Sequence, residues 1–352
     1  MKRWGARVTL TLVAGFGTLL ILEGSARAYF RWHHDGCGFR SSLLYVADPV
    51  LDYRINLSHC PPKTGRILGA PLQGDHPLDE PRVQIVALGG SMTWGHSNTD
   101  RSTWPAQLER WLVVREALAP RTVEVINGGV PGYGSRQIRL RFEREVVNVK
   151  PTLVIVDATW NGVGSVADPR AWAPENIAGH GARVGRRLAT WLTTHSLLAA
   201  KSRWFKNPRE TLPALAPVAD IFREDLRVLA RQAQAEQIQL VLLQAPAIWT
   251  LHGTAEESQL IEQLLPGQQC WEQQARANQA LARQMIREVG QEFGVPIIDG
   301  AQAFEPLLPV ERSTLFSDYM HLSDAGNALL ASYIAAQVAP LFSRRDHGRL
   351  GA

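Results

Sequence analysis

Val83-Gln84-Ile85-Val86-Ala87-Leu88-Gly89-Gly90-Ser91-Met92-Thr93 is the stretch on which the reading of the chain turns. Six mostly aliphatic residues form a short strand, and two glycines end it and let the backbone turn sharply. A helical face follows in Trp104, Leu108, Trp111 and Leu112, with Ser102 or Thr103 available as cap and Pro105 in the first turn. The same alternation then recurs. Val123-Glu124-Val125-Ile126 reads as a second strand, and Ile138, Phe142 and Val146 recur every four residues, as on one helix face. Leu153-Val154-Ile155-Val156 is an unbroken apolar run, the pattern of a strand covered on both faces.

Residues 163–215 interrupt the alternation as an insertion, with a helix expected around Arg186–Phe205. Val218, Ile221, Phe222, Leu226 and Leu229 mark the next helix, and Leu240-Val241-Leu242-Leu243 the fourth strand. Leu281, Met285, Val289 and Phe293 lie on a long helix before the fifth strand, Val295-Pro296-Ile297-Ile298. Leu329, Leu330, Tyr333 and Ile334 mark the last helix. Strands alternating with helices predict an α/β fold: three layers, α/β/α, around a mostly parallel five-stranded sheet in a flavodoxin-like order. The expected organisation is an N-terminal segment over 1–28, an extended lead-in over 29–80, and one domain over 81–345.

Ligands of such sheets bind beyond the carboxyl ends of the strands. Strand one is followed there by Ser91, strand two by Val130-Pro131-Gly132, and strand three by Trp160-Asn161. Asp318-Tyr319-Met320-His321 comes after strand five. Ser91 is a candidate nucleophile, whose hydroxyl needs a base to take its proton. A serine here could equally cap the following helix. His321 is the candidate base, and Asp318 three residues earlier can hold its tautomer and stabilise the imidazolium. Gly132 and Asn161 are candidate oxyanion donors beside the Ser91 N–H: backbone N–H groups and a fixed amide can stabilise a tetrahedral oxyanion. Thr93 stands where the G-x-S-x-G elbow has its last glycine, so the pattern is not that one.

In this arrangement the chain resembles the bacterial SGNH, or GDSL, hydrolases. Their four blocks correspond to Ser91, to Gly132, to Asn161, and to Asp318 with His321, over roughly Pro81–Pro340. The resemblance implies hydrolysis or transfer of acyl esters by a serine nucleophile, with no metal and no cofactor. Gly90 replaces the aspartate of Gly-Asp-Ser. The third block reads Ala158-Thr159-Trp160-Asn161-Gly162 where Gly-x-Asn-Asp is usual. The second departure bears on pocket shape and substrate more than on chemistry. A non-catalytic envelope assembly or glycan-binding protein retaining the fold is the alternative, and the presence of Ser91, Asp318 and His321 together speaks against it.

The N-terminus carries Lys2, Arg3 and Arg7 before an uncharged run from Val8 to Leu22. Positive charge ahead of an apolar segment directs export. The expected result is an uncleaved single-pass anchor with the catalytic domain in the periplasm or outside the cell. Cleavage after Ala26-Arg27-Ala28, giving a secreted protein, is the alternative. Of the three cysteines, Cys37 and Cys60 could close a loop in an oxidising compartment, contributing roughly 3 kcal/mol, and three unpaired thiols is the other possibility. No cysteine pair has zinc spacing. A net charge of +4 over 352 residues is weak ground for a nucleic-acid partner, and none is expected. Among 11 tryptophans, Trp94, Trp160 and Trp249 fall near the strand ends. They could stack on sugar rings, line an acyl pocket or fill the core. With export, the first points to O-acetylated carbohydrate as substrate.

Overall fold

The computed structural model describes residues 14–25, 45–58, 66–70, 82–95, 98–114, 118, 121–161, 215–250, 253, 257–259, 261 and 269–349. The chain divides into two compact units, residues 1–61 with 170–210 and residues 62–169 with 211–352. The expected helix at Arg186–Phe205, the Cys37–Cys60 bridge and the Ala26–Ala28 cleavage site lie outside the described residues.

The first unit contains a helix over residues 14–25 and a hairpin of β1 (Tyr45–Asp48) and β2 (Asp52–Ile55). Asp48 shapes the turn by accepting hydrogen bonds from the Val50 and Leu51 N–H groups, each at 2.9 Å. Asp52 takes the left-handed conformation that closes it. Four-residue strands are too short to leave a periodic signal, which is why the expected lead-in read as irregular.

The second unit holds β3 (Arg66–Ile67), β4 (Arg82–Gly89), β5 (Thr122–Gly129), β6 (Leu153–Asp157), β7 (Gln239–Gln244) and β8 (Ile297–Asp299). They form one sheet in the order β3-β5-β4-β6-β7-β8, every pair parallel. From β5 to β8 this is the expected flavodoxin-like order. Among the described residues the sheet has six strands, not five. The extra edge strand is two residues long, paired with Ile126 and Asn127. Arg66 is held there by both carboxylate oxygens of Glu109, at 2.7 Å.

Helices cover both faces. Between the strands come α1 (Ser91–Trp94), α2 (Trp104–Val114), α3 (Ser135–Arg141), α4 (Leu215–Ala235) and α5 (Gln269–Phe293), and after β8 come α6 (Pro309–Leu315) and α7 (Asp324–Arg349). Strand side chains alternate between faces. Ile85, Ala87, Val125, Ile155, Val241 and Leu243 meet Trp104 and Leu108 of α2 and Leu330, Ile334 and Val338 of α7. Val86, Leu88, Val154, Val156 and Leu242 face the other way, towards the layer of α3, α4 and α5. Each fully buried large apolar side chain contributes roughly 1.5–3 kcal/mol.

Two local features differ from the simple pattern. The expected helix through Ile138, Phe142 and Val146 widens into a π-helical turn over Phe142–Val146, yet all three side chains stay buried. At the start of α2, Thr103 Oγ1 receives only a long 3.5 Å bond from Ala106 N–H. Buried Asn327 of α7 accepts the Trp104 N–H at 3.1 Å and so joins the two helices. One helical stretch among the described residues, Asp324–Phe342, is long and apolar enough to cross a membrane. It lies within α7, and its Leu330, Ile334, Val338 and Phe342 are buried in the core.

Candidate active site

The site lies where the strand order reverses, since β4 runs between β5 and β6. Ser91 is the first residue after the Gly89-Gly90 end of β4 and opens α1. Its side chain does not cap that helix, because the N-cap is Gly90 and no side chain bonds there. Its Oγ lies 2.7 Å from His321 Nε2. His321 Nδ1 lies 2.6 Å from Asp318 Oδ2. With Nδ1–H donated to the carboxylate, Nε2 is left as an acceptor for the serine proton. Ser91 and His321 are 6% and 5% exposed, so these bonds act where water screens them little.

A short loop between α6 and α7 presents Asp318 and His321. Phe316 and Leu322 close it as an isolated antiparallel bridge, and the Ser317 N–H donates to the His321 carbonyl at 2.8 Å. Asp318 Oδ1 accepts from the Met320 and His321 N–H groups at 2.9 and 2.7 Å. One carboxylate oxygen therefore shapes the turn while the other orients the imidazole. This is how a three-residue spacing brings acid and base together. Burial would raise the Asp318 carboxyl, but the ring and charge of His321, with the two backbone N–H groups, bring it below the ordinary carboxylate value.

Gly132 and Asn161 arrive from the neighbouring strands. The Tyr133 N–H donates to the Val130 carbonyl at 3.1 Å, and Gly132 has φ +85° inside that turn. Pro131 followed by a left-handed glycine is the signature of a type II turn. Asn161 Nδ2 lies against Gly90, where a Cβ would stand only 2.4 Å from it. Glycine at 90 therefore makes room for the amide next to Ser91. An aspartate there would require the Asn161 side chain to shift. The departure from Gly-Asp-Ser thus goes with the present seating of the Asn161 amide, a contact that the sequence alone did not supply.

The three tryptophans separate. Trp249 is 4% exposed, stacked on Tyr319 with ring centroids 5.8 Å apart, and the Arg276 guanidinium lies 4.8 Å from its ring centroid. Its Nε1–H donates to Gln279 at 2.8 Å. Trp249 is core and offers no open face. Trp94 lines a cavity of about 110 Å³ with Arg66, Asn127 and Thr103, and none of Ser91, Asp318 and His321 lines it. Trp160 is half-buried and meets Tyr319 edge-on at 5.8 Å. It stands between Thr159 and Asn161, while Tyr319 adjoins Asp318, so this ring pair bridges the two sides of the site.

Sequence reasoning passed over Asp157, at the end of the apolar β6. It is 4% exposed, accepts from Thr93 Oγ1 at 3.2 Å, and receives a longer 3.4 Å bond from the Thr159 N–H. Burial pushes its carboxyl up to about 6, against the bonds from Thr159 and Thr93. An acid closing the run Leu-Val-Ile-Val was the available signal.

A family model described as GDSL-like lipase/acylhydrolase matches residues 87–329, well over half of the chain and spanning every residue of this site. The chain belongs to the GDSL-like lipase/acylhydrolase family. As a member it is a hydrolase of ester bonds. A search of curated proteins returned no match to this GDSL hydrolase. Among solved structures it is similar to the acetyl xylan esterase AlAXEase, at 16% identity over 73% of this chain and 100% of that one, TM-score 0.46. It is also similar to a lipase/acylhydrolase from Enterococcus faecalis, at 17% identity over 73% and 96%, TM-score 0.46. The acetylxylan esterase Axe2 from Geobacillus stearothermophilus is a third, at 17% identity over 74% and 95%, TM-score 0.42. At such identities and scores the family match, not these likenesses, assigns the chain.

Proposed function

We propose that this GDSL hydrolase is a serine esterase or acyltransferase in which Ser91 is the nucleophile, His321 the general base and acid, and Asp318 the residue that orients and charges-compensates the imidazole. The observation that carries the reading is the continuous hydrogen-bond chain from Ser91 through His321 to Asp318. Ser91 Oγ attacks the ester carbonyl carbon as its proton passes to His321 Nε2. The oxyanion that forms is stabilised by the Ser91 and Gly132 N–H groups and the Asn161 amide. Collapse breaks the bond to the alcohol, which leaves with the proton from His321, and Ser91 keeps the acyl group. Water, or a second alcohol, then gives its proton to His321 and attacks the acyl-enzyme; the acyl–Oγ bond breaks, His321 returns that proton to Ser91 Oγ, and the acid or new ester leaves. Every catalytic group in these steps, side chain or backbone N–H, belongs to this chain.

The acyl groups proposed are small, and the alcohol is an envelope or extracellular carbohydrate, so the substrate is an O-acetylated sugar chain. Half-buried Trp160, next to Asn161 and packed on Tyr319, supports this reading because a flat ring beside an ester centre can carry the apolar face of a sugar. Trp160→Ala should lower kcat/KM on an acetylated oligosaccharide about tenfold more than on a small aryl acetate, since only the sugar would touch the ring. Equal losses on both, or a strong preference for long-chain esters, would reject a carbohydrate substrate.

The enzyme is proposed to be membrane-tethered with its site outside the cytoplasm. The helix over residues 14–25 exposes Phe16, Leu19, Leu20, Ile21 and Leu22, as an anchoring segment does outside a membrane. A C-terminal reporter active only after export, together with a mature N-terminus ahead of Tyr29, is the expected result. A mature chain beginning at Tyr29 rejects the anchor, and a cytoplasmic reporter signal rejects export as well.

A further inference from the structure

The buried carboxylate of Asp157 plays no part in the proton transfers proposed above, yet it sits where the two strands that deliver the nucleophile and Asn161 end side by side. Asp157 ends β6 and pairs in register with Gly89, the last residue of β4 and two before Ser91. Thr93, two residues after Ser91, folds its side chain back over Gly89. A Cβ at Gly89 would stand 2.2 Å from Thr93 Oγ1 and 3.0 Å from the Asp157 carbonyl, so the slot is filled by the threonine. From there the hydroxyl donates to Asp157 Oδ2 at 3.2 Å. The other oxygen, Oδ1, receives the Thr159 N–H, two residues before Asn161. Thr159 continues the connection: its hydroxyl donates to the Leu243 carbonyl at 3.3 Å and accepts the Ala245 N–H at 2.8 Å. Thr93 is fully buried and Thr159 nearly so.

We infer that Asp157 is a positioning residue for ester hydrolysis: through Thr93 it holds the Ser91 turn, and through Thr159 it holds the segment carrying Asn161, fixing nucleophile and oxyanion donor relative to each other. The reason such a link matters is that α1 has only four residues and no side-chain cap. So short a helix has little cooperative hydrogen bonding of its own to hold Ser91, and a misplacement of about 1 Å can cost about 100-fold in rate. A carboxylate is suited to the task because its two oxygens accept from two segments at once. Because it acts on the reacting groups through Thr93 and Thr159, its effect should fall on kcat more than on KM.

The inference rests on Ser91 being the nucleophile, and the test separates the two. Wild type, Asp157→Ala, Asp157→Asn, Thr93→Val, Thr93→Ser and the Asp157→Ala/Thr93→Val pair are compared on a small aryl acetate and by rate of Ser91 labelling with a fluorophosphonate. Asp157→Ala and Thr93→Val should each lower kcat and the labelling rate about 10- to 100-fold, with KM changed less than about threefold. The double variant should lose no more than the worse single one, because both remove the same link. Asp157→Asn keeps an acceptor for Thr159 and a partner for Thr93, and Thr93→Ser keeps the hydroxyl, so both should stay within about threefold of wild type. If Asp157→Ala does not fold, Thr93→Val against Thr93→Ser decides. Wild-type kcat in Thr93→Val, multiplying losses in the double variant, or equal losses for Val and Ser would overturn the positioning role. Failure of wild-type Ser91 to label would instead overturn the nucleophile assignment beneath it.

Discussion

Ser91→Ala should lower kcat/KM for any ester this enzyme accepts by about 10⁴- to 10⁶-fold while the protein remains folded. The size follows from the geometry. Ser91 Oγ is the atom placed 2.7 Å from His321 Nε2, and removing it leaves no covalent route. Folding should survive because the substitution deletes one oxygen from a side chain that does not cap α1. The His321 ring keeps its bond to Asp318. A change in stability of no more than about 1 kcal/mol is expected. Activity is measured on an aryl acetate and checked by fluorophosphonate labelling, with circular dichroism and a melting curve as controls. Near-wild-type turnover in a well-folded Ser91→Ala protein would sink the proposed mechanism.

His321→Ala should cost nearly as much, and combining it with Ser91→Ala should add almost nothing, since the two act as one unit. Asp318→Asn should be severe but smaller, about 10⁴-fold. An asparagine can turn its NH₂ towards Nδ1 and impose the wrong tautomer, leaving Nε2–H unable to accept from Ser91. Its remaining carbonyl oxygen can still accept both backbone N–H groups, so the Phe316–Leu322 loop should persist. The loss should therefore appear mainly in kcat, with the fold kept and the melting temperature lowered only modestly at neutral pH. Because Asp318 lies below the ordinary carboxylate value, the stability it supplies is present above that value and is lost as pH falls through its own lowered one. Wild type and Asp318→Asn should converge in stability at acid pH. A variant with full activity, or one unfolded at neutral pH, would show that Asp318 does not act by orienting His321.

Much of this architecture was readable from periodicity. The apolar runs at Val83–Leu88, Leu153–Val156 and Leu240–Leu243 are strands because a parallel sheet buries both faces, and that demand is written into consecutive residues. The edge strand Arg66–Ile67 was not readable. Two residues carry no period, and its place depends on Glu109 and β5, far along the chain. Trp249 shows the same limit from the other side. Its position after β7 suggested a ligand face, but Tyr319, Gln279 and Arg276 cover it, and none of them is near in sequence.

The sequence by itself determined the fold class, the order of the five main strands and their helices, and the residue types at the strand ends, because these depend on local patterns and on a general rule for where open sheets bind ligands. Tertiary structure decided the rest. The 2.7 Å contact of Ser91 with His321 joins residues 230 positions apart. The fit of Gly90 against Asn161 and the link from Asp157 to Thr93 depend on the register of β4 with β6. Hydrogen bonds form only within a few tenths of an ångström of their proper length, and long-range packing alone sets distances to that tolerance.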